Sequence, residues 1–159
     1  MSNSIVVYYT WSGNTRKIAK IIASLVGADI QEILPETPYT KNYNKAVEQA
    51  KKEIREGFHP PIKKMDLDLS KYDVVYIGTP IWWSTIAPPV ATFLSKNDFS
   101  GKTIMPFSTH GGGGKGQADK DIAKLCPKAK VLDMYTTYQD GRNSAKEEVA
   151  AWIKKNRLL

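Results

Sequence analysis

Short apolar runs and longer amphipathic stretches alternate along the whole chain. Five segments predict strands, at residues 5–9, 29–34, 72–78, 103–107 and 131–135, and the third of them predicts a buried strand. Between them, apolar residues recur at helical spacing and predict helices at residues 14–26, 44–56, 88–96, 117–125 and from 144 onwards. This alternation predicts one α/β domain over residues 1–159, with a parallel sheet and helices on both of its faces.

Two local patterns refine the predicted elements. Pro106 falls inside the fourth strand, and a central strand needs the N–H that proline lacks. We therefore expect Pro106 near the end of that strand, followed by a flexible loop. Ser144 and Glu147 have the spacing of a capping box, which predicts that the last helix begins there.

Charge is the one unusual bulk property. The 159 residues are 42% hydrophobic and 25% charged, as in ordinary globular proteins, but the formal net charge is +7. This charge suits an anionic ligand or an acidic partner, whereas the scattered lysines leave nucleic acid a minor alternative. No apolar run reaches the roughly 20 residues of a membrane span, and no basic leader precedes the first strand, so we expect neither a membrane span nor a signal peptide.

The cysteine count limits the chemistry further. Cys126 is the only cysteine, which excludes an intrachain disulfide and a cysteine-cluster metal site. A reducing cytoplasm is the natural location, and we expect Cys126 to be packed at a helix end rather than reactive. The sequence indicates no metal site and no catalytic acid–base or nucleophile set.

A polar segment, Thr10-Trp11-Ser12-Gly13-Asn14-Thr15, joins the first strand to the first helix. Its hydroxyls and backbone N–H groups converge at a helix N-terminus, where the helix dipole favours a phosphate. The segment lacks the Gly-Lys-Ser/Thr of a Walker A loop and the G-x-G-x-x-G of a dinucleotide site. The alternative is a polar turn in which Ser12 or Asn14 caps the helix.

Two cations follow this segment directly. Arg16 and Lys17 occupy the first helical turn, where a cation is unfavourable by about 0.3–1 kcal/mol unless an anion lies nearby. A bound phosphate would reverse the sign for Arg16. For Lys17 we favour a side chain that extends into water.

Two further loops are unusual, and the fold should bring them to the same edge of the sheet. Residues 78–85 contain Trp82 and Trp83, whose rings are costly to expose unless one lies on a flat ligand. The alternative is that one tryptophan packs into the core and the other into a dimer interface. Residues 108–114 combine His110 with four glycines, which either approach a ligand closely or form a mobile surface loop.

Taken together, these motifs resemble the flavodoxin family over nearly the whole chain. The matching features are the loop from Thr10 to Thr15, the Gly-x-Pro-x-Trp of residues 78–82, and a glycine-rich loop after strand four. The Pro-Ile-Trp-Trp sequence resembles a bacterial flavodoxin-like branch. The resemblance implies the strand order 2-1-3-4-5, with FMN at the carboxyl ends of strands one and three.

The resemblance also implies a role for each loop. The first holds the FMN phosphate, Thr79 and Pro80 follow the ribityl chain, and Trp82 stacks on the isoalloxazine. The backbone of Trp83 and Ser84 approaches flavin N5, and the histidine–glycine loop contacts the pyrimidine edge. The implied cofactor-binding residues are Thr10, Trp11, Ser12, Gly13, Asn14, Thr15, Arg16, Thr79, Pro80, Ile81, Trp82, Trp83, Ser84, Thr109, His110, Gly111, Gly112 and Gly113.

Two departures from the family pattern bear on function. Residues 83–85 contain no glycine, although a glycine near flavin N5 normally allows positive φ. The loop after strand four has no aromatic residue besides His110 to cover the second flavin face, so Tyr135 or Tyr138 is the candidate cover. Both departures count against simple one-electron transfer.

From the resemblance to the flavodoxin family we expect an FMN-binding electron-transfer protein. Its partners would be acidic redox proteins or a small-molecule acceptor. One alternative is an NAD(P)H-dependent quinone or small-molecule reductase on the same fold. The other is an interaction module without flavin.

Overall fold

Seven strands and five helices form among residues 3–156, the part of the chain that the computed structural model describes. The strands are β1 (Ser4–Tyr8), β2 (Asp29–Glu32), β3 (Val74–Trp82), β4 (Thr85–Ile86), β5 (Thr103–His110), β6 (Lys130–Val131) and β7 (Tyr135–Tyr138). The helices are α1 (Asn14–Val26), α2 (Tyr43–Glu56), α3 (Pro88–Lys96), α4 (Ala118–Leu125) and α5 (Ala145–Lys155).

The sheet confirms the predicted doubly wound architecture. Its order is β2-β1-β3-β5-β6, and β7 also lies beside β5. All of these pairs are parallel, and only the short β4 is antiparallel, folded back on the end of β3. If β6 and β7 are counted as one interrupted fifth strand and β5 as the fourth, the five predicted strands have the expected order 2-1-3-4-5.

Neighbouring residues of each strand supply two separate cores. Val7, Val75 and Ile77 pack under α2, α3 and α4, in one cluster with Ala50, Phe93 and Ile122. Val6 and Tyr76 point to the opposite face, against Ile18 of α1 and Val149 of α5. This is the period-two alternation of a strand that is buried on both faces.

The predicted fifth strand is divided in two, and Pro106 is the reason. Ile104 pairs with Val131, whereas Phe107 pairs with Tyr135, so three steps along β5 oppose four along its neighbour. The Ile104 carbonyl accepts from the Leu132 N–H, and Pro106, two residues on, faces the same side. A proline there has no N–H to donate, so the ladder breaks between β6 and β7.

The prediction for Pro106 itself was wrong. It lies in the middle of β5, opposite Ile77, rather than near the end of the strand. The strand tolerates it because Pro106 faces the break between β6 and β7. β5 also runs through His110, so residues 108–110 belong to the strand and the glycine loop starts only at residue 111.

Two predictions about local packing had opposite outcomes. The predicted start of the last helix is correct, because Ser144 is the N-cap residue of α5. The capping bonds were wrong, because the Ser144 hydroxyl lies 3.3 Å from both the Gly141 carbonyl and Glu148 Oε2 and makes no cap bond. A 3₁₀ turn, Arg142–Ser144, leads into α5 instead. Cys126 is buried as predicted, and burial raises the pKa of its thiol to about 11.

Candidate functional site

The three unusual loops meet at the carboxyl edge of the sheet. β1 and β3 end side by side, with the Tyr9 N–H donating to the Gly78 carbonyl at 3.1 Å. Further along, Pro80 of β3 pairs with Thr109 of β5. Segment 10–15 therefore lies next to the end of β3, and the end of β3 lies next to the loop that follows β5.

Segment 10–15 forms a turn that leaves the start of α1 open. The buried Thr10 hydroxyl accepts the Gly13 N–H at 3.0 Å, and Gly13 takes the left-handed conformation, with φ of 99°. No side chain caps α1, so the capping alternative for Ser12 and Asn14 is wrong. The N–H groups of the first turn have no partners inside the helix and can donate to an anion.

Arg16 lies beside this turn and is held there by a carboxylate. Its Nη2 donates to both oxygens of Glu32, at 3.1 and 3.2 Å, and Glu32 also accepts from the Tyr8 hydroxyl. The bond to Glu32 raises the pKa of the guanidinium. A Cβ on Gly13 would lie 3.8 Å from Arg16 Nη1, so the cation stays close to the open amides.

Lys17 is not extended into water, contrary to expectation. Its Nζ donates to the Arg142 carbonyl at 3.0 Å and lies 3.4 Å from Asp140. It thereby joins α1 to the turn that precedes α5. The sequence could not show this contact because the partners are more than 120 residues apart in the chain.

A pair of threonine hydroxyls links the first loop to the third. Thr15 Oγ1 and Thr109 Oγ1 lie 2.8 Å apart, and both side chains are buried. A hydroxyl has one proton and two lone pairs, so either threonine can still bond a third group. The link fixes the start of α1 relative to the end of β5.

The middle loop is a two-residue hairpin rather than an open segment. Ile81 pairs with Ile86, and Trp82 with Thr85, which leaves Trp83 and Ser84 at the turn. Thr79 is fully buried, and its hydroxyl donates to the Pro80 carbonyl and accepts from the Ala87 N–H. The Thr79 hydroxyl is therefore engaged within the hairpin.

Both turn residues have positive φ although neither is glycine. Trp83 has φ of 53° and Ser84 of 63°, as in a type I′ turn. The expectation that this segment needs glycine for positive φ was therefore wrong. Side chains in the left-handed region cost about 1–2 kcal/mol each, so the surrounding contacts must hold the turn in place.

Four contacts hold the hairpin turn. The Trp83 indole N–H donates to the Val47 carbonyl of α2 at 2.8 Å, and Lys51 Nζ lies 5.0 Å from the ring centroid. The Ser84 carbonyl accepts from the Gln117 N–H at 2.6 Å. The Thr85 hydroxyl donates to Asp121 of α4.

Trp82 lies beneath the hairpin in an aromatic cluster. Its ring meets Tyr39 at 5.1 Å and Tyr9 at 5.8 Å, each edge-on, and only 9% of the residue is exposed. Stacking of Trp82 on a ligand therefore requires the hairpin to turn this ring outward, and it stays a prediction. Trp83 is the exposed member of the pair, at 44%.

A buried carboxylate that no sequence pattern indicated lies next to this cluster. Glu53 of α2 accepts from the Tyr39 hydroxyl and from Gln49 Nε2. Burial, followed by the bond to Glu53, raises the pKa of Tyr39. In the sequence, Glu53 looks like one more charge on a polar helix, and no local pattern distinguishes it.

The third loop presents backbone groups and one neutral histidine. Residues 111–113 are exposed, and His110 Nδ1 accepts the Gly112 N–H at 3.0 Å. Partial burial lowers the pKa of His110, which favours the neutral ring that this bond requires. Gly112 has φ of 131°, a conformation that side chains rarely adopt.

Of the two tyrosines considered as covers for a ligand, only Tyr138 is available. Tyr135 is buried, packs against Trp152 and donates its hydroxyl to Glu148. Tyr138 is 46% exposed and meets His110 edge-on at 6.1 Å.

Trp11, on the first loop, contacts the segment that leads into α2. Trp11 donates its indole N–H to the Thr40 carbonyl at 3.1 Å and meets Tyr43 edge-on. Across residues 3–156, no cluster of side chains could hold a metal ion, and no helix is both long and apolar enough to cross a bilayer.

Comparisons with known proteins agree with this geometry. A family model described as flavodoxin matches residues 3–156. A proposed flavoprotein from Bacteroides eggerthii is 28% identical, with a TM-score of 0.86 and 98% of each chain covered. A flavoprotein from Lactobacillus acidophilus, solved in complex with FMN, is 22% identical, with a TM-score of 0.76 and coverage of 96% of this chain and 99% of that one. No curated protein matches.

Proposed function

The chain belongs to the flavodoxin family, and from this premise we propose that it binds FMN at the carboxyl edge of its sheet and transfers electrons. The observation that carries the proposal is the open N-terminus of α1, where Gly13 is left-handed and no side chain or acid satisfies the first turn. This arrangement is suited to a phosphate. When bound, the flavin ring supplies the electron chemistry.

The residues around this position fit FMN. The amides at the start of α1 would hold the phosphate, together with the hydroxyls of Thr10 and the exposed Ser12. Arg16 would add a cation without a rearrangement, because Glu32 already holds it beside the loop. The hairpin and the histidine–glycine loop would flank the ring, with Tyr138 covering its open face.

We further propose that the protein works as an electron carrier in the cytoplasm, with an acidic redox protein or a small acceptor as partner. The net charge of +7 supports the acidic partner, since opposite charges steer association.

The test uses Asn14→Asp, a change that separates folding from binding. A carboxylate in the first turn of α1 interacts favourably with the helix dipole. The free energy of unfolding should therefore stay equal or rise by a few tenths of a kcal/mol. The same carboxylate repels the FMN phosphate, so the Kd for FMN should rise about tenfold or more. Riboflavin, which lacks the phosphate, should bind weakly and equally to both proteins.

Asn44→Asp in the first turn of α2 is the matched control. It should be as stable as the wild type and should leave the Kd for FMN unchanged. Quenching of tryptophan fluorescence measures the Kd for FMN and for riboflavin. Equal affinity of the wild-type protein for FMN and riboflavin would refute the phosphate site.

The reductase alternative has its own test. Wild-type protein loaded with FMN is mixed with NADPH and a quinone, and NADPH oxidation is followed at 340 nm. A carrier should show no more turnover than free FMN under the same conditions. Rapid, saturable oxidation of NADPH would show that the protein is a reductase rather than an electron carrier.

A further inference from the structure

A groove of about 510 Å³ begins at the phosphate loop and runs along the outer face of α1. It is lined by Gly13, Arg16, Lys17, Lys20, Ile21, Ser24, Leu25 and Lys146, which we call the α1 groove. From Gly13 to Leu25 it extends about 18 Å, at the helical rise of about 1.5 Å per residue. Four of its lining residues are cations, and none is an acid.

The cations of the α1 groove differ in how they are compensated. Arg16 pairs with Glu32, and Lys17 pairs with Asp140. Lys20 and Lys146 are exposed and form no ion pair within residues 3–156. The groove therefore carries an excess of positive charge at its middle and at its α5 side.

The position of these charges needs an explanation beyond solubility. α1 contains three cations and no acid in 13 residues, and two of the cations lie in its first turn, where the dipole opposes them. Arg16 and Lys17 already have Glu32 and Asp140 as partners, and a bound FMN phosphate would add an anion beside Arg16. It would leave Lys20 and Lys146 free to attract something else.

Resting on the proposed function, we propose that the α1 groove is the docking surface for an acidic electron-transfer protein. Carboxylates of the partner meet Lys20 and Lys146, and an apolar part of its surface covers the half-buried Ile21 and Leu25. The groove starts at Gly13, so a partner seated there lies beside the phosphate end of the proposed cofactor site. Opposite charge at the rim speeds association and selects the partner.

A nucleic acid fits the α1 groove less well. Single strands are bound by aromatic rings on which bases stack, and no aromatic residue lines this groove. Two unpaired lysines also make a short track compared with the six to ten phosphate contacts that dominate DNA binding.

The experiment compares two double variants of equal charge. Lys20→Glu/Lys146→Glu reverses the charge of the two unpaired lysines in the groove. Lys96→Glu/Lys128→Glu reverses the charge of two exposed lysines at the opposite edge of the sheet, at the end of α3 and just before β6. Each variant lowers the formal net charge from +7 to +3. Neither variant replaces a residue assigned to FMN.

Two measurements use a plant-type [2Fe–2S] ferredoxin as the acidic probe. Stopped-flow absorbance follows FMN reduction by the reduced ferredoxin, from 20 to 500 mM NaCl. Fluorescence anisotropy follows labelled ferredoxin binding to the FMN-free protein, which tests docking even if FMN does not bind. At 20 mM NaCl, the groove variant should be reduced at least tenfold more slowly than the wild type and should bind ferredoxin at least tenfold more weakly. Both differences should vanish at 500 mM NaCl.

The control variant should change less than threefold in both measurements. Equal losses in the two variants, or no loss in either, would overturn the α1 groove as docking surface. Tighter binding of a single-stranded oligonucleotide than of ferredoxin, lost in the groove variant, would overturn the assignment to a protein. If the wild type fails to bind FMN but its apo form binds ferredoxin through the groove, only the proposed function fails.

Discussion

At the scale of single residues, the hairpin turn is where this chain departs most from ordinary backbone preference. Trp83 and Ser84 occupy the left-handed region, at φ of 53° and 63°, where a type I′ turn normally has Asn-Gly. Trp83 is compensated by its bond to Val47 and its contact with Lys51. Ser84 contributes only its carbonyl to the contacts that hold the turn. Its side chain therefore adds backbone strain without a stabilising contact among those described.

Replacing Ser84 with glycine should therefore stabilise the protein. Relief of the left-handed strain gains about 1–2 kcal/mol, and the greater freedom of glycine in the unfolded chain costs about 0.5–1 kcal/mol. We expect Ser84→Gly to raise the free energy of unfolding by about 0.5–1 kcal/mol in urea titrations. Ser24→Gly, in the right-handed backbone of α1, should lower it by about 0.5 kcal/mol. Destabilisation by both changes would mean that the turn is not strained.

At the scale of elements, the hairpin and α4 act as one unit because Gly116 lets them touch. A Cβ on Gly116 would lie 2.3 Å from the Ser84 carbonyl oxygen and 2.7 Å from Ser84 Cα. Beside it, the Gln117 N–H donates to the same carbonyl. The start of α4 thus supports the hairpin that flanks the proposed flavin ring.

Gly116→Ala should separate these two elements. The clash is with backbone, and φ of 54° adds strain, so we expect a loss of about 2–3 kcal/mol in the free energy of unfolding. FMN affinity should fall as well, because the hairpin loses its support. Gly101→Ala is the control, because Gly101 also has positive φ, at 76°, but its added Cβ meets nothing within 4 Å. It should cost only the backbone strain, about 1 kcal/mol, and leave FMN affinity unchanged. Wild-type FMN affinity in a destabilised Gly116→Ala protein would show that the hairpin does not contribute to the site.

At the scale of the whole molecule, charge is the property that should set the behaviour of the bound flavin. Reduced flavin is anionic, and the chain carries a net charge of +7, which favours the reduced state. A unit charge about 10 Å away in water contributes about 0.4 kcal/mol before screening. Several such charges together amount to about 1 kcal/mol or more at low ionic strength.

The reduction potential of the bound flavin should consequently depend on salt. Added salt screens the cations, since the Debye length is only about 10 Å at 0.1 M, so the potential should fall as NaCl rises from 10 to 500 mM. Spectroscopic redox titration measures it, with free FMN in the same buffers as the reference. A potential that stays constant or rises would show that local contacts, rather than net charge, determine it.

The sequence was most informative where structure is set by neighbours along the chain. The alternation of strand and helix patterns predicted the order of the elements, which the structure confirms. The anion site expected at the polar segment between β1 and α1 stays a prediction. The apolar periodicity of the last helix was informative as well, because Ala145, Val149, Trp152 and Ile153 recur at helical spacing and are all buried. These features depend on periodicity and on local backbone geometry, both of which a single segment carries by itself.

What only the tertiary structure decided depends on contacts between distant segments. The break in the last strand follows from Pro106 facing it across the sheet, and the left-handed turn at Trp83 and Ser84 survives because α2 and α4 hold it. The burial of Trp82 among Tyr9 and Tyr39 has the same origin. Sequence patterns encode which residues prefer burial or a given backbone shape, whereas packing across the fold determines which preference is satisfied and which is overridden.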